Sequence, residues 1–89
     1  MLGRMPEISR FFGIVIHMYY GEHGVPHFHA IHGEHEISVH VQSGLIHGSF
    51  PGDALRHVMR WAELHGPELL TNWERARQGK PLHRIAPLE

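Results

Sequence analysis

Two runs of alternating residues, His27–His32 (HFHAIH) and His35–Gln42 (HEISVHVQ), flank Gly33-Glu34, and this arrangement constrains the fold more than any other stretch. Side chains of a strand alternate between faces, and a glycine opening a two-residue loop suits a type II′ hairpin turn. With that turn, His32 stands opposite His35, Ala30 opposite Ile37, Phe28 opposite Val39 and His27 opposite His40. Phe28, Ala30, Ile37, Val39 and Val41 then share one side, while imidazoles collect on the other. A slip of one residue would scatter both sets.

The same logic extends outward. Ser43-Gly44 predicts a second tight turn into a short strand at Leu45–Phe50, setting Val41 against Ile46, Val39 against Gly48, Ile37 against Phe50 and His40 against His47. Upstream, Phe11–Tyr20 (FFGIVIHMYY) is rich in aromatic and β-branched residues and reads as one strand. The loop GEHGV follows. If Tyr20 pairs with Pro26, then Phe12, Ile14, Ile16 and Met18 join the apolar side, and His17 and Tyr19 join the histidine side. Phe11, Val15 and Tyr19 would form an apolar patch there that favours association. Residues 1–10 read as an irregular leader in which Pro6 opposes regular pairing, Ile8 reaches for the core and Met5 is an alternative start.

Pro51–His65 changes period. Ala54, Leu55, Val58, Ala62 and His65 form one helical stripe with Trp61 at its edge. Pro51 and Asp53 suit a helix start, and Gly66 suits its end. A second helix runs from Pro67 to about Gln78, with Leu69, Leu70, Trp73 and Ala76 inward. Lys80–Glu89 is a tail from which Leu82 and Ile85 could pack as a short strand. The expectation is a single α+β domain over residues 11–89: a four-stranded antiparallel meander with two C-terminal helices packed on one face.

Composition narrows the function classes. There is no cysteine among 89 residues, which removes disulfides, thiolate metal sites and cysteine nucleophiles. The longest apolar run, Phe11–Ile16, is far short of a membrane span. No secretory signal is evident, so a cytoplasmic protein is expected. Eleven histidines outnumber the eight Lys and Arg, and charging them would turn a chain of net charge -1 strongly basic.

Neutral imidazole is a good ligand for divalent transition metals. His27, His29 and His40 are the candidate ligands for Zn or Ni, with His17 as a replacement; His47 lies too far along the row. Glu36 is the carboxylate placed to support them, and no HExxH spacing is present. The competing reading is a polar sheet face whose histidines are simply solvated. Without a metal, His27 or His29 with Tyr19 and Arg10 could serve general acid–base cleavage of RNA. Arg75, Arg77, Lys80, His83 and Arg84 invite comparison with a DNA-reading helix. They come late in the second helix, however, and the net charge argues against a strong phosphate footprint. Trp61 and Trp73 read as core or interface anchors.

The stretch Met5–Ile16 (MPEISRFFGIVI), the motif Pro26-His27-Phe28-His29-Ala30, and later Trp61-Ala62-Glu63-Leu64 and Asn72-Trp73 together resemble a widespread group of small bacterial proteins classed as a domain of unknown function. Members of that group commonly open Met-Pro-x-Ile-Ser-Arg-Phe and carry Pro-Pro-His-Phe-His; Val25 departs from the first proline, and residues 1–4 precede the usual start. The resemblance implies no established activity. It does imply a neighbouring gene for a second small protein, an arrangement like toxin–antitoxin pairs, and hence a small protein partner or a homo-oligomer. The leading expectation is therefore half of a two-protein toxin–antitoxin-like or regulatory module using the histidine face as its active or contact surface. The alternative is a metal-dependent hydrolase or nuclease on the same face.

Overall fold

The computed structural model describes residues 6–89, so residues 1–4 and the alternative start at Met5 lie outside the described residues. The elements are β1 (Glu7–Phe11), β2 (Ile14–His17), β3 (His27–His32), β4 (His35–His40), β5 (Ile46–Gly48), α1 (Gly52–Leu64) and α2 (Gly66–Arg77). The strands form one antiparallel sheet in the order β1-β2-β3-β4-β5. It is an α+β fold with a meander sheet, but of five strands, where four were expected.

The extra strand comes from the segment read as a leader. Phe12 and Gly13 both have positive φ, 51° and 75°, so the chain reverses between Phe11 and Ile14, which pair across the turn. A type I′ hairpin requires that conformation at both central residues. Phe-Gly is a poor advertisement for it beside Asn-Gly, which is why FFGIVI reads as one continuous strand. The reversal swaps the two phenylalanines: Phe11 is buried and Phe12 is 55% exposed at the turn tip. Phe12 is therefore not a core residue, and Phe11 cannot contribute to an apolar patch on the histidine side.

The central hairpin has the expected register, including His27 opposite His40 and Phe28 opposite Val39. So does the pairing of β2 with β3, where His17 lies opposite His29 and Ile16 opposite Ala30. The β4–β5 register is offset by two residues from the expected one, with Val39 opposite Ile46 and Ile37 opposite Gly48. The turn is longer than Ser43-Gly44, because His40 accepts the Gly44 N–H and donates its own N–H to the Leu45 carbonyl. An even offset preserves the faces. Gly48 is fixed by crowding: a Cβ there would come 2.6 Å from the Glu36 carbonyl oxygen.

Both helices feed the cluster built by the strands, in which Ile14, Ile16, Met18, Phe28, Ala30, Val58, Trp61 and Leu69 are completely buried. Trp61 sits at its centre and not at the edge of the stripe. Its ring lies 5.5 Å from Phe11 and 5.6 Å from Phe28, and its indole N–H donates to the Ala86 carbonyl at 2.9 Å. On α2, Leu70 is exposed and Asn72 is buried in its stead. Asn72 holds the tail with both ends of its amide, donating to the His83 carbonyl and accepting the His83 N–H, each at 2.9 Å. The tail then runs beside β1, where the Ile85 N–H donates to the Ile8 carbonyl at 2.8 Å. Among the described residues no helix is long and apolar enough to cross a membrane.

Glu7 clamps this junction, with Arg10 at 2.7 Å and Arg84 at 3.0 Å. Hydrogen bonds from Arg10 and then Arg84 lower its pKa from 4.5 to about 2. A depressed carboxylate stabilises the fold fully above its unfolded pKa and loses that contribution as pH falls through the folded one. The window is therefore from about pH 4.5 down to about pH 2. Both arginines are mostly exposed, so solvent screening holds the effect to about 1 kcal/mol. Glu7→Gln should flatten the acid limb of an unfolding titration across that window and leave it unchanged if the clamp contributes nothing.

Candidate metal centre

His27 and His29 are one residue apart on β3 and project to the same side of the sheet. The loop after β2 brings a third ligand to them. Glu22 Oε1 lies 2.9 Å from His27 Nε2 and 2.8 Å from His29 Nε2. One ligand atom from each of Glu22, His27 and His29 falls within 4.8 Å of the others. Burial opposes the charged form of Glu22, but hydrogen bonds from His29 and His27 outweigh it and lower the carboxyl pKa.

The partners of the two rings carry further information. His27 Nδ1 is 2.9 Å from the Val25 carbonyl oxygen, and a carbonyl only accepts, so Nδ1 holds the proton. A neutral imidazole has one N–H. With Nδ1 on the Val25 carbonyl, His27 Nε2 donates to the Glu22 carboxylate only from the doubly protonated ring, and in the neutral ring its lone pair is free to take a cation placed between them. His29 is in the same position: Nε2 meets Glu22, and Nδ1 is 3.5 Å from Glu36 Oε2. Both rings thus have oxygen acceptors at both nitrogens.

That is the environment a metal-binding histidine needs, with the far nitrogen fixed by a carbonyl or carboxylate and the near one aimed at the ion. Zinc binds nitrogen and carboxylate oxygen at about 2.0–2.2 Å, which places tetrahedral ligand atoms roughly 3.3 Å apart. Glu22, on a loop, would retreat by about half an ångström to admit one. The side chains of His27, His29 and Glu22 are 15%, 17% and 33% exposed, so the site is sheltered but reachable. Were an ion held there, three protein ligands and a reachable fourth position would suit a catalytic site more than a closed structural one.

The other candidates fall in different places. Tyr19 joins the site, its ring 4.3 Å from that of His29 and its hydroxyl donating to Glu36 Oε2 at 3.5 Å. His40 is outside the ligand group: it faces His27 across the ladder, but its ring centroid is 6.3 Å from that of His27. The third ligand atom close to His27 and His29 is that of Glu22. His17 lies opposite His29 in register and is not a member of the group either. His47 is adjacent to His40, ring to ring at 5.4 Å. Arg10 is on β1, two strands from His29, with its guanidinium on Glu7. Trp73 is buried and its ring rests 4.9 Å from that of His27, so α2 supports the site from one side.

Glu22 is the member of this candidate group that sequence reasoning missed. Its signal was a carboxylate in a glycine-flanked loop leading directly into the His-x-His strand, where the chain must turn back toward that strand.

Residues 13–74, more than half of the chain and including Glu22, His27 and His29, match the family model described as Domain of unknown function (DUF4160). The chain belongs to the DUF4160 family. That description names no activity, so the chemistry of this DUF4160 chain has to be read from its own residues. No curated protein and no solved structure matches it.

Proposed function

We propose that this DUF4160 protein is a metal-dependent hydrolase whose divalent transition metal, Zn or Ni, is held by Glu22, His27 and His29. The observation carrying this reading is that two imidazoles and a carboxylate converge while the outer nitrogen of His27 is hydrogen-bonded to the Val25 carbonyl and that of His29 lies 3.5 Å from Glu36. A metal held by two histidines and a carboxylate polarises a bound carbonyl or phosphoryl oxygen and lowers the pKa of bound water enough for attack at neutral pH. Glu36 and the Val25 carbonyl keep the two rings oriented, and the Tyr19 ring fixes the open side of His29. Arg10 has no part in this reading. Calorimetric titration with Zn or Ni should show one equivalent bound, and the loaded protein should hydrolyse an activated ester in a reaction stopped by chelator. Binding of no metal, or hydrolysis indifferent to chelator, would refute it.

A second reading, half of a two-protein toxin–antitoxin-like or regulatory module, is favoured by one feature. The tail runs beside β1, whereas β5 ends the sheet with Leu45, 52% exposed, just before it. An unpaired edge invites another chain. Co-expression with the product of the adjacent gene should give a complex on a sizing column, and elution of this chain alone would count against the module.

A further inference from the structure

A second pair of imidazoles meets on the same side of the sheet as the candidate metal centre. His40 ends β4, and His47 is the middle residue of β5, opposite Ser38. Their strand neighbours Val39 and Ile46 pack into the core, so alternation turns both histidines the other way. The two ring centroids are 5.4 Å apart, close to the 5.3 Å that separates His27 from His29. Strand pairing alone does not bring imidazoles together in this way. His32 and His35 are directly opposite each other, yet His32 aims Nδ1 at the Gly13 carbonyl, 3.0 Å away, and rests its ring near Phe50. The rings of His40 and His47, by contrast, enter no hydrogen bond or ion pair among the described residues. All four of their ring nitrogens are available to a ligand.

We propose that His40 and His47 form a second metal site, one for Cu(II), independent of the Glu22 centre. At metal–nitrogen bonds of about 2.0–2.1 Å, two imidazoles on one ion have ring centres roughly 4.5 Å apart at right angles and roughly 6.4 Å apart when opposed. The observed 5.4 Å lies between these limits. His40 is half-buried and His47 exposed, so the rings can settle on an ion by side-chain rotation alone. Copper is the ion that such a pair selects. Zinc is held by three or four protein ligands in its usual sites, and this pair brings two nitrogens and no carboxylate. Copper stands above both nickel and zinc at a given nitrogen site, and its tetragonal sphere accepts two imidazoles with water in the remaining positions. One equivalent of zinc or nickel therefore goes to the three-ligand centre, whereas copper fills both sites. Bound between His40 and His47, the ion would tie the three-residue edge strand β5 to β4 through side chains as well as through the ladder.

The test titrates metal-free protein with Cu(II) and follows nitrogen-coupled copper by electron paramagnetic resonance. The unmodified protein should bind two equivalents, His27→Ala/His29→Ala one, and His40→Ala/His47→Ala one. The single change His47→Ala, at an exposed position, leaves one imidazole without its chelating partner, so the second equivalent should weaken by about a hundredfold or more. His40→Ala/His47→Ala should keep the zinc-induced rise in melting temperature in full, which also shows that it folds. Absence of bound copper from His27→Ala/His29→Ala, or an undiminished copper count in His40→Ala/His47→Ala, would overturn the copper site. An undiminished count in His27→Ala/His29→Ala would instead overturn the Glu22 centre and leave the His40–His47 pair standing.

Discussion

In the double variant His27→Ala/His29→Ala, zinc should no longer raise the melting temperature. A ligand that binds only the folded state adds about 2.7 kcal/mol at a hundredfold excess over its Kd. For a domain of this length each kcal/mol moves the midpoint by roughly 4–8 °C, so the unmodified protein should gain about 10–20 °C. The double variant should gain nothing, and Glu22→Gln should fall between them, since it keeps both imidazoles and loses the anionic ligand. His40→Ala should retain the full gain, because His40 stands outside the ligand group. Differential scanning calorimetry with and without metal separates these cases. An undiminished rise in the double variant would place the ion elsewhere.

Trp61→Ala should be the most damaging single substitution in the core. The indole is completely buried between Phe11 and Phe28, and its N–H donates to the Ala86 carbonyl. Emptying such a site costs about 3–5 kcal/mol in transfer and cavity terms. The orphaned carbonyl on the tail adds about 1 kcal/mol or more. A domain with 5–15 kcal/mol of total stability would lose a large part of it. Urea denaturation should show the midpoint falling steeply, whereas Trp61→Phe should recover more than half of the loss. A stability loss below about 1 kcal/mol would mean that the tail and β1 do not close over this ring.

The central hairpin was legible because its two periodicities agree: one register places Phe28, Ala30, Ile37 and Val39 on one side and His27, His29 and His40 on the other. The β2–β3 register followed from the same alternation. What escaped was governed by backbone conformation. The reversal at Phe12-Gly13 depends on a phenylalanine adopting positive φ, which residue preference does not advertise. The two-residue offset of β5 depends on Val41 donating to Pro26 and His40 closing the wider turn, contacts made between loops. Asn72 was hidden because a buried amide is justified only by the tail it grips. In the candidate site, strand alternation put His27 and His29 together but did not place Glu22 beside them. His40 is a cross-strand neighbour at ring distance, and nothing in strand geometry brings its nitrogens to the same point. Glu22 arrives by a loop, and loop paths are the part of a small fold that periodicity does not encode.

The central claim is most directly tested by locating the ion. Crystals grown with zinc and measured at the zinc absorption edge should show one anomalous peak per chain, at about 2.0–2.2 Å from His27 Nε2, His29 Nε2 and a Glu22 carboxylate oxygen. Density at that point without anomalous signal, or a zinc peak bound by other residues while Glu22 still bridges the two imidazoles, would contradict the assignment.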